Sequence, residues 1–172
     1  MFERPIILTG FMGSGKSSVG RVLAKKMSCS FIDLDSEIVA VTGRSINEIF
    51  LQDGEPAFRL LETDCLQRVL QSGRAVIATG GGAVISAENR AIMRSRGVVV
   101  NLGVSLSKVL QRLHGASDRP LLAGDDAAKR AESLMELRKQ FYADADIRID
   151  TDGKSVEDVA AEILRFVKGL RT

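Results

Sequence analysis

The sequence predicts an α/β fold with a parallel sheet covered on both faces. Two observations carry this: short β-branched runs alternate with stretches of helical period, and a glycine-rich loop joins the first such run to the first helix. The predicted strands are Ile6 to Thr9, Ser30 to Asp33, Ala75 to Thr79, Val98 to Leu102 and Ile147 to Ile149. Between them the apolar spacing changes to that of a helix. Val19, Val22, Leu23 and Met27 share a face after the first strand, and Phe58, Leu61, Cys65 and Val69 share another. Near the C-terminus Val156, Val159, Ala160, Ile163 and Val167 form a third apolar stripe.

Helix starts are marked by capping chemistry. Ser45 stands three residues before Glu48, and Ser155 three before Asp158, both capping-box patterns. Pro56 suits the first turn of a helix carrying Arg59 and Glu62, where its missing amide costs little. The sequence shows no repeat and no linker, so residues 1–172 are expected to form one domain.

Composition narrows the class. Apolar residues make up 45% and charged residues 27% of the 172, which is globular rather than disordered composition. With 24 basic and 22 acidic residues the net charge is +2, and no block of like charge suggests a nucleic-acid or membrane surface. Cys29 and Cys65 stand apart in apolar contexts and read as reduced thiols. His114 is the sole histidine, which argues against zinc chemistry and a histidine-based triad. No signal-peptide pattern opens the chain and no apolar run approaches ~20 residues, so a cytoplasmic location is expected.

Gly10-Phe11-Met12-Gly13-Ser14-Gly15-Lys16-Ser17 fulfils the phosphate-loop pattern and lies between a strand and an amphipathic helix, as its physics requires. Its glycines let backbone amides converge on phosphates, and the following helix adds unpaired N–H groups and its positive end. Lys16 is expected to reach the β- and γ-phosphates of ATP, and the Ser17 hydroxyl to ligate Mg²⁺.

Further candidates cluster after the strands. Asp33 and Asp35 end the second strand, where ligands gather in an open α/β sheet; the plainer reading is a turn or helix cap using one aspartate. In a Mg²⁺ and phosphate enzyme, Asp33 would hold the hydrated metal and Asp35 would accept a hydrogen bond from an acceptor hydroxyl. Gly80, Gly81 and Gly82 follow the third strand and permit close backbone approach to a substrate, or simply a tight turn. Arg59 taken alone reads as a surface arginine, although its planar fork could meet a carboxylate. Arg138 lies in the helical series Leu134, Leu137 and Phe141, where a solvent-facing arginine is ordinary. The polar, small-residue stretch at about 112–128 contains Arg112 and Arg119 and reads as a solvated loop or, beside a phosphate site, as a mobile lid.

Taken together, Phe31 to Asp35, Asp53-Gly54-Glu55 with Phe58-Arg59 and Glu62, Thr79-Gly80-Gly81-Gly82, and Arg119-Pro120-Leu121-Leu122 make the chain resemble shikimate kinase over nearly its whole length. The resemblance implies a P-loop NTPase fold of the nucleoside-monophosphate-kinase-like group with a five-stranded parallel sheet, an acceptor-binding region within 33–62, and transfer of phosphate from ATP to the 3-hydroxyl of shikimate. It assigns Asp35, Arg59, Gly80, Gly81, Gly82 and Arg138 to the acceptor, with Glu62 orienting Arg59 and with Phe50 and Phe58 shaping the pocket. Gly13, Ser14, Gly15, Lys16, Ser17, Ser18, Arg112, Arg119 and Lys154 fall to the nucleotide, Ser17 and Asp33 to Mg²⁺, and Lys16, Asp35 and Arg119 to catalysis. A monomer in the pathway to chorismate and the aromatic amino acids is implied. The rival readings are a kinase for gluconate or a nucleotide, and a nucleotide-dependent regulatory module without catalysis.

Overall fold

The structure, a computed structural model, describes residues 3–113 and 126–170. Its sheet holds β1 (Ile6–Thr9), β2 (Ser30–Asp33), β3 (Ala75–Ala78), β4 (Val98–Gly103) and β5 (Ile147–Asp150). All are parallel, in the order β2-β3-β1-β4-β5. Each expected strand is therefore present, and the ends differ by one residue at most.

Helices complete the layers: α1 (Lys16–Met27), α2 (Leu34–Thr42), α3 (Ile46–Val69), α4 (Ala87–Arg96), α5 (Leu106–Leu113), α6 (Ala127–Tyr142) and α7 (Val156–Gly169), plus a 3₁₀ turn at Ala83–Ile85. The central strand β1 is buried along its length because successive side chains serve opposite faces. Ile6 and Leu8 join Val19, Leu23, Val159 and Ile163 in the layer made by α1 and α7. Ile7 points the other way, into a core with Ile38, Leu66, Met93 and Ala131 from α2, α3, α4 and α6. The edge strands β2 and β5 are only partly buried.

Both capping boxes form, at Ser45 with Glu48 and at Ser155 with Asp158. Helix α3 is broken at Gly54 (φ 83°, ψ 170°), and Pro56 sits in the first turn of its second half. This break lets Phe50 and Phe58, on either side of it, stack at 4.7 Å between ring centroids. Cys29 is half-buried, Cys65 is buried, and both are free thiols. Among the described residues, no helix is long and apolar enough to cross a membrane. Arg119 and residues 114–125 of the expected lid lie outside the described residues; Arg112 at one end belongs to α5, and Ala127 and Ala128 at the other belong to α6.

Candidate active site

The phosphate loop leaves the C-terminal end of β1, which stands between β3 and β4. This is the point where strand order reverses and a crevice opens. Gly10 enters the loop at φ 146°, and a Cβ there would stand 2.8 Å from Ser14 Oγ, so the turn requires glycine. Helix α1 starts on Gly15 with no side chain capping it, which leaves its first amides directed at the loop. Lys16 Nζ lies across the mouth of the loop, donating to the Gly10 carbonyl at 2.7 Å and the Phe11 carbonyl at 2.9 Å.

Ser17 Oγ donates to Asp33 Oδ2 at 2.7 Å. The other oxygen of Asp33 accepts from Ser36 N at 3.2 Å and caps α2. The aspartate therefore serves as helix cap and as partner of the loop serine at once, one role for each oxygen. On the far side of the loop, a cavity of about 240 Å³ joins Gly13, Ser14, Gly15 and Ser18 to Arg112 and Lys154. Arg112 Nη1 donates to the Gly13 carbonyl. Lys154 pairs with Glu162 at 2.7 Å.

A second cavity, of about 500 Å³, runs from Lys16, Ser17 and Asp33 to Asp35, Arg59, Glu62, Gly80–Gly82 and Arg138. Both ends are thus one space. Asp35 stands in the first turn of α2, directly after β2. Arg59 and Glu62 occupy the second half of α3, three residues apart and on one face. Arg59 Nη1 donates to Glu62 Oε1 at 2.8 Å, while Nη2 and Nε share Glu55 Oε1 at 2.9 and 3.3 Å. Three of five guanidinium donors are used, so the fork is held in place with donors to spare.

Glu62 is fully buried, and its Oε2 has no hydrogen-bond partner among the described residues. Burial pushes its carboxyl above the usual range despite the attraction of Arg59, and Asp35 nearby adds to the rise. For Arg59 burial opposes the charge, but Glu62 and Glu55 outweigh it and hold the guanidinium above its ordinary value. The triple glycine forms the floor. A Cβ on Gly80 would lie 2.9 Å from Glu62 Oε2 and 3.1 Å from Asp35 Oδ1, and one on Gly82 would overlap the Arg59 guanidinium. Only glycine admits that approach.

Arg138 overturns the solvent-facing alternative. It is 1% exposed, whereas its neighbour Leu137 is 60% exposed, so the inward face of α6 carries the charge. Its Nε and Nη1 have no hydrogen-bond partner among the described residues, and its guanidinium lies 5.8 Å from the Phe11 ring centroid. A buried cation of this kind is costly unless an anion meets it.

The residue-by-residue reading missed three contributors. Tyr142 donates to the Gly81 carbonyl at 2.6 Å; burial pushes its phenol up to about 12, against the pull of Arg138. Its position one turn after Arg138 was the available signal, as was the spacing of Glu55 four residues before Arg59. Asn47 also lines the cavity, with a buried Oδ1 lacking a partner among the described residues. Nothing in its sequence context marks it.

Comparison with known proteins agrees with this arrangement. A family model described as shikimate kinase matches residues 12–168. A shikimate kinase of Geobacter metallireducens is 55% identical over 166 residues, covering 96% of this chain and 93% of its own length. One of Geobacter sulfurreducens is 51% identical over 165 residues, covering 96% and 91%. A solved shikimate kinase from Acinetobacter baumannii, in complex with shikimate, superposes with a TM-score of 0.94 at 36% identity, covering 96% of this chain and 93% of that one. With its phosphate loop and two-arginine pocket joined in one cavity, the chain belongs to the shikimate kinase family.

Proposed function

We propose that the protein transfers the γ-phosphoryl group of ATP to the 3-hydroxyl of shikimate, giving shikimate 3-phosphate and ADP on the way to chorismate and the aromatic amino acids. The observation that carries this reading is the continuity of the cavity from Lys16 to Arg59 and Arg138, with Asp35 lining the same space. A neutral polyol bearing one carboxylate matches that distribution of charge: guanidinium groups for the carboxylate and acidic groups for hydroxyls.

The loop amides and Lys16 neutralise charge on the phosphoryl group as the acceptor hydroxyl approaches in line, and the family resemblance assigns Arg119, outside the described residues, to the same task. Asp35 orients the hydroxyl and accepts its hydrogen bond; a loose transition state requires little more activation than this. Arg59 and Arg138 hold the carboxylate, and Gly80–Gly82 bring backbone against the ring. Arg112, Ser18 and Lys154 line the cavity on the far side of the loop, to which we assign the base.

Ser17 and Asp33 fit Mg²⁺. They present a hydroxyl and a carboxylate 2.7 Å apart beside the loop, hard oxygen donors of the sort that ion takes alongside water and phosphate oxygens. When bound, it supplies charge neutralisation on the β- and γ-phosphates. We further read the chain as a single-domain, cytoplasmic monomer acting on small molecules alone.

The decisive experiment is ADP release from Mg²⁺-ATP with and without shikimate, with gluconate and nucleoside monophosphates in parallel. Shikimate-dependent release with shikimate 3-phosphate as product is expected. Release with another acceptor alone would overturn the arginine clamp, and tight ATP binding with no release for any acceptor would make the chain a regulatory module.

A further inference from the structure

Besides Asp35 of α2, the acceptor pocket takes residues from three segments that are not neighbours in the chain: α3 with Arg59, the glycines after β3, and α6 with Arg138. All three converge on two consecutive residues of α4. The 3₁₀ turn Ala83–Ile85 follows Gly82 directly, and each of its carbonyls accepts from one of those residues. Asn89 Nδ2 donates to the Ala83 carbonyl at 3.0 Å. Arg90 Nη1 donates to the Val84 and Ile85 carbonyls at 2.7 and 2.9 Å.

Each residue then reaches one of the flanking helices. Asn89 is fully buried, and its Oδ1 accepts from the Thr63 hydroxyl at 2.8 Å. Thr63 stands one turn after Arg59 on α3, and its one hydroxyl proton is shared between Asn89 Oδ1 and the Arg59 carbonyl at 3.1 Å, which ties Asn89 to that turn of the helix. Arg90 Nε pairs with Asp144 Oδ2 at 3.3 Å, just beyond α6, and its guanidinium lies 4.8 Å from the ring centroid of Phe141. Phe141 precedes Tyr142, which donates to the Gly81 carbonyl, so α6 meets the glycines directly at Tyr142 and the turn after them through Arg90.

A buried amide with both ends satisfied fixes a geometry that an apolar side chain of the same volume would leave free to slide. A planar guanidinium, with donors at set angles, holds several partners in one fixed arrangement; an ammonium cannot. We infer that Asn89 and Arg90 are positioning residues for the acceptor, fixing the triple-glycine turn against α3 and α6 and so setting the separation of the Arg59 and Arg138 guanidinium groups. This rests on the reading of those two arginines as the carboxylate clamp.

The test compares the wild-type protein with R90K and with the double variant T63V/N89L, which removes the polar pair while keeping the branching and heavy-atom count of both side chains. R4A is the control. Arg4 donates to the Gly97 carbonyl at 2.6 Å, at the far end of α4, so its loss weakens the same helix without touching the turn. Steady-state constants are measured for shikimate and ATP below the melting temperature of each variant. In R90K and T63V/N89L the KM for shikimate is expected to rise about tenfold while that for ATP stays within about twofold. R4A is expected to lower the melting temperature and leave both constants in place. Unchanged KM for shikimate in both test variants, or a parallel rise in both constants that tracks melting temperature as in R4A, would overturn the inference. Failure of the wild-type protein to release ADP with shikimate would instead bring down the functional reading, and this one with it.

Discussion

The two ends of the cavity are built in opposite ways. The phosphate end is one continuous run, Gly10 to Ser17, supported by the start of α1 and by Asp33. The acceptor end takes Asp35 from α2, Arg59 and Glu62 from α3, the glycines from the end of β3 and Arg138 from α6. Backbone amides dominate the first and buried side-chain charge the second. A phosphate is met by N–H groups that any chain possesses once glycine allows the curvature, whereas a particular acceptor must be met by particular side chains at particular separations. The contrast implies that changes at the phosphate end act on turnover with every acceptor, and changes at the acceptor end act on selection.

The largest expected effect sharpens that contrast. Lys16→Ala removes a charge matched to the transition state and is expected to lower kcat by about 10²–10³-fold, read in steady-state assays. Shikimate affinity should stay near the wild-type value in titration calorimetry; a variant with near-normal turnover would break the comparison. Arg59→Ala is expected to raise the KM for shikimate by about 10²-fold while ATP binding persists. It also strands Glu62, a fully buried carboxylate, so a fall in melting temperature should accompany the kinetic loss.

Next in size is a pH effect confined to the acceptor end. The Glu62 carboxyl titrates above its ordinary value in the folded protein, chiefly because it is buried. Between the ordinary carboxylate value and the raised one, the folded state binds more protons than the unfolded, so stability falls as pH rises through that window. Glu62→Gln should flatten this part of the profile in thermal melts taken from the ordinary glutamate range upward. An unaltered slope would mean that Glu62 is ionised throughout.

Tyr142 offers a smaller, cleaner signal, because it is the sole tyrosine and the chain has no tryptophan. Its tyrosinate absorbance should appear only near about 12 rather than at 10.0. Stability should decline between those two values, since the folded state keeps the proton that the unfolded chain has lost. The smallest effect belongs to Ser155→Ala, which opens the capping box of α7. A cost of about 1 kcal/mol in chemical denaturation is expected, with the KM for shikimate unchanged.

Much of the scaffold was legible because its causes are local. The strand runs, the capping serines and the phosphate loop each rest on neighbouring residues whose period or backbone freedom can be read directly. Local chemistry also left genuine ambiguities. Taken alone, Asp33 and Asp35 offer a turn or helix cap, and beside the phosphate loop Asp33 offers a metal partner; one oxygen of Asp33 caps α2 and the other accepts from Ser17. The family resemblance assigns Arg138 to the acceptor, while its place in a helical series makes a solvent-facing arginine equally ordinary; α6 turns Leu137 outward and Arg138 inward. Periodicity ranks faces by average hydropathy, and one buried cation on an otherwise polar helix defeats that average.

The sequence by itself determined the α/β class, the order of its strands and helices, and the phosphate loop, because all three depend on residues close in the chain. Tertiary structure alone decided which charges face one another. The clamp between Glu55, Arg59 and Glu62 is local to α3, but its union with Gly80–Gly82 and Arg138 requires β3 and α6 to pack beside it. The hold of Asn89 and Arg90 on the turn and on both flanking helices likewise exists only once α4 is docked. Such contacts join residues tens of positions apart through burial and direction, and neither composition nor spacing encodes a direction in space.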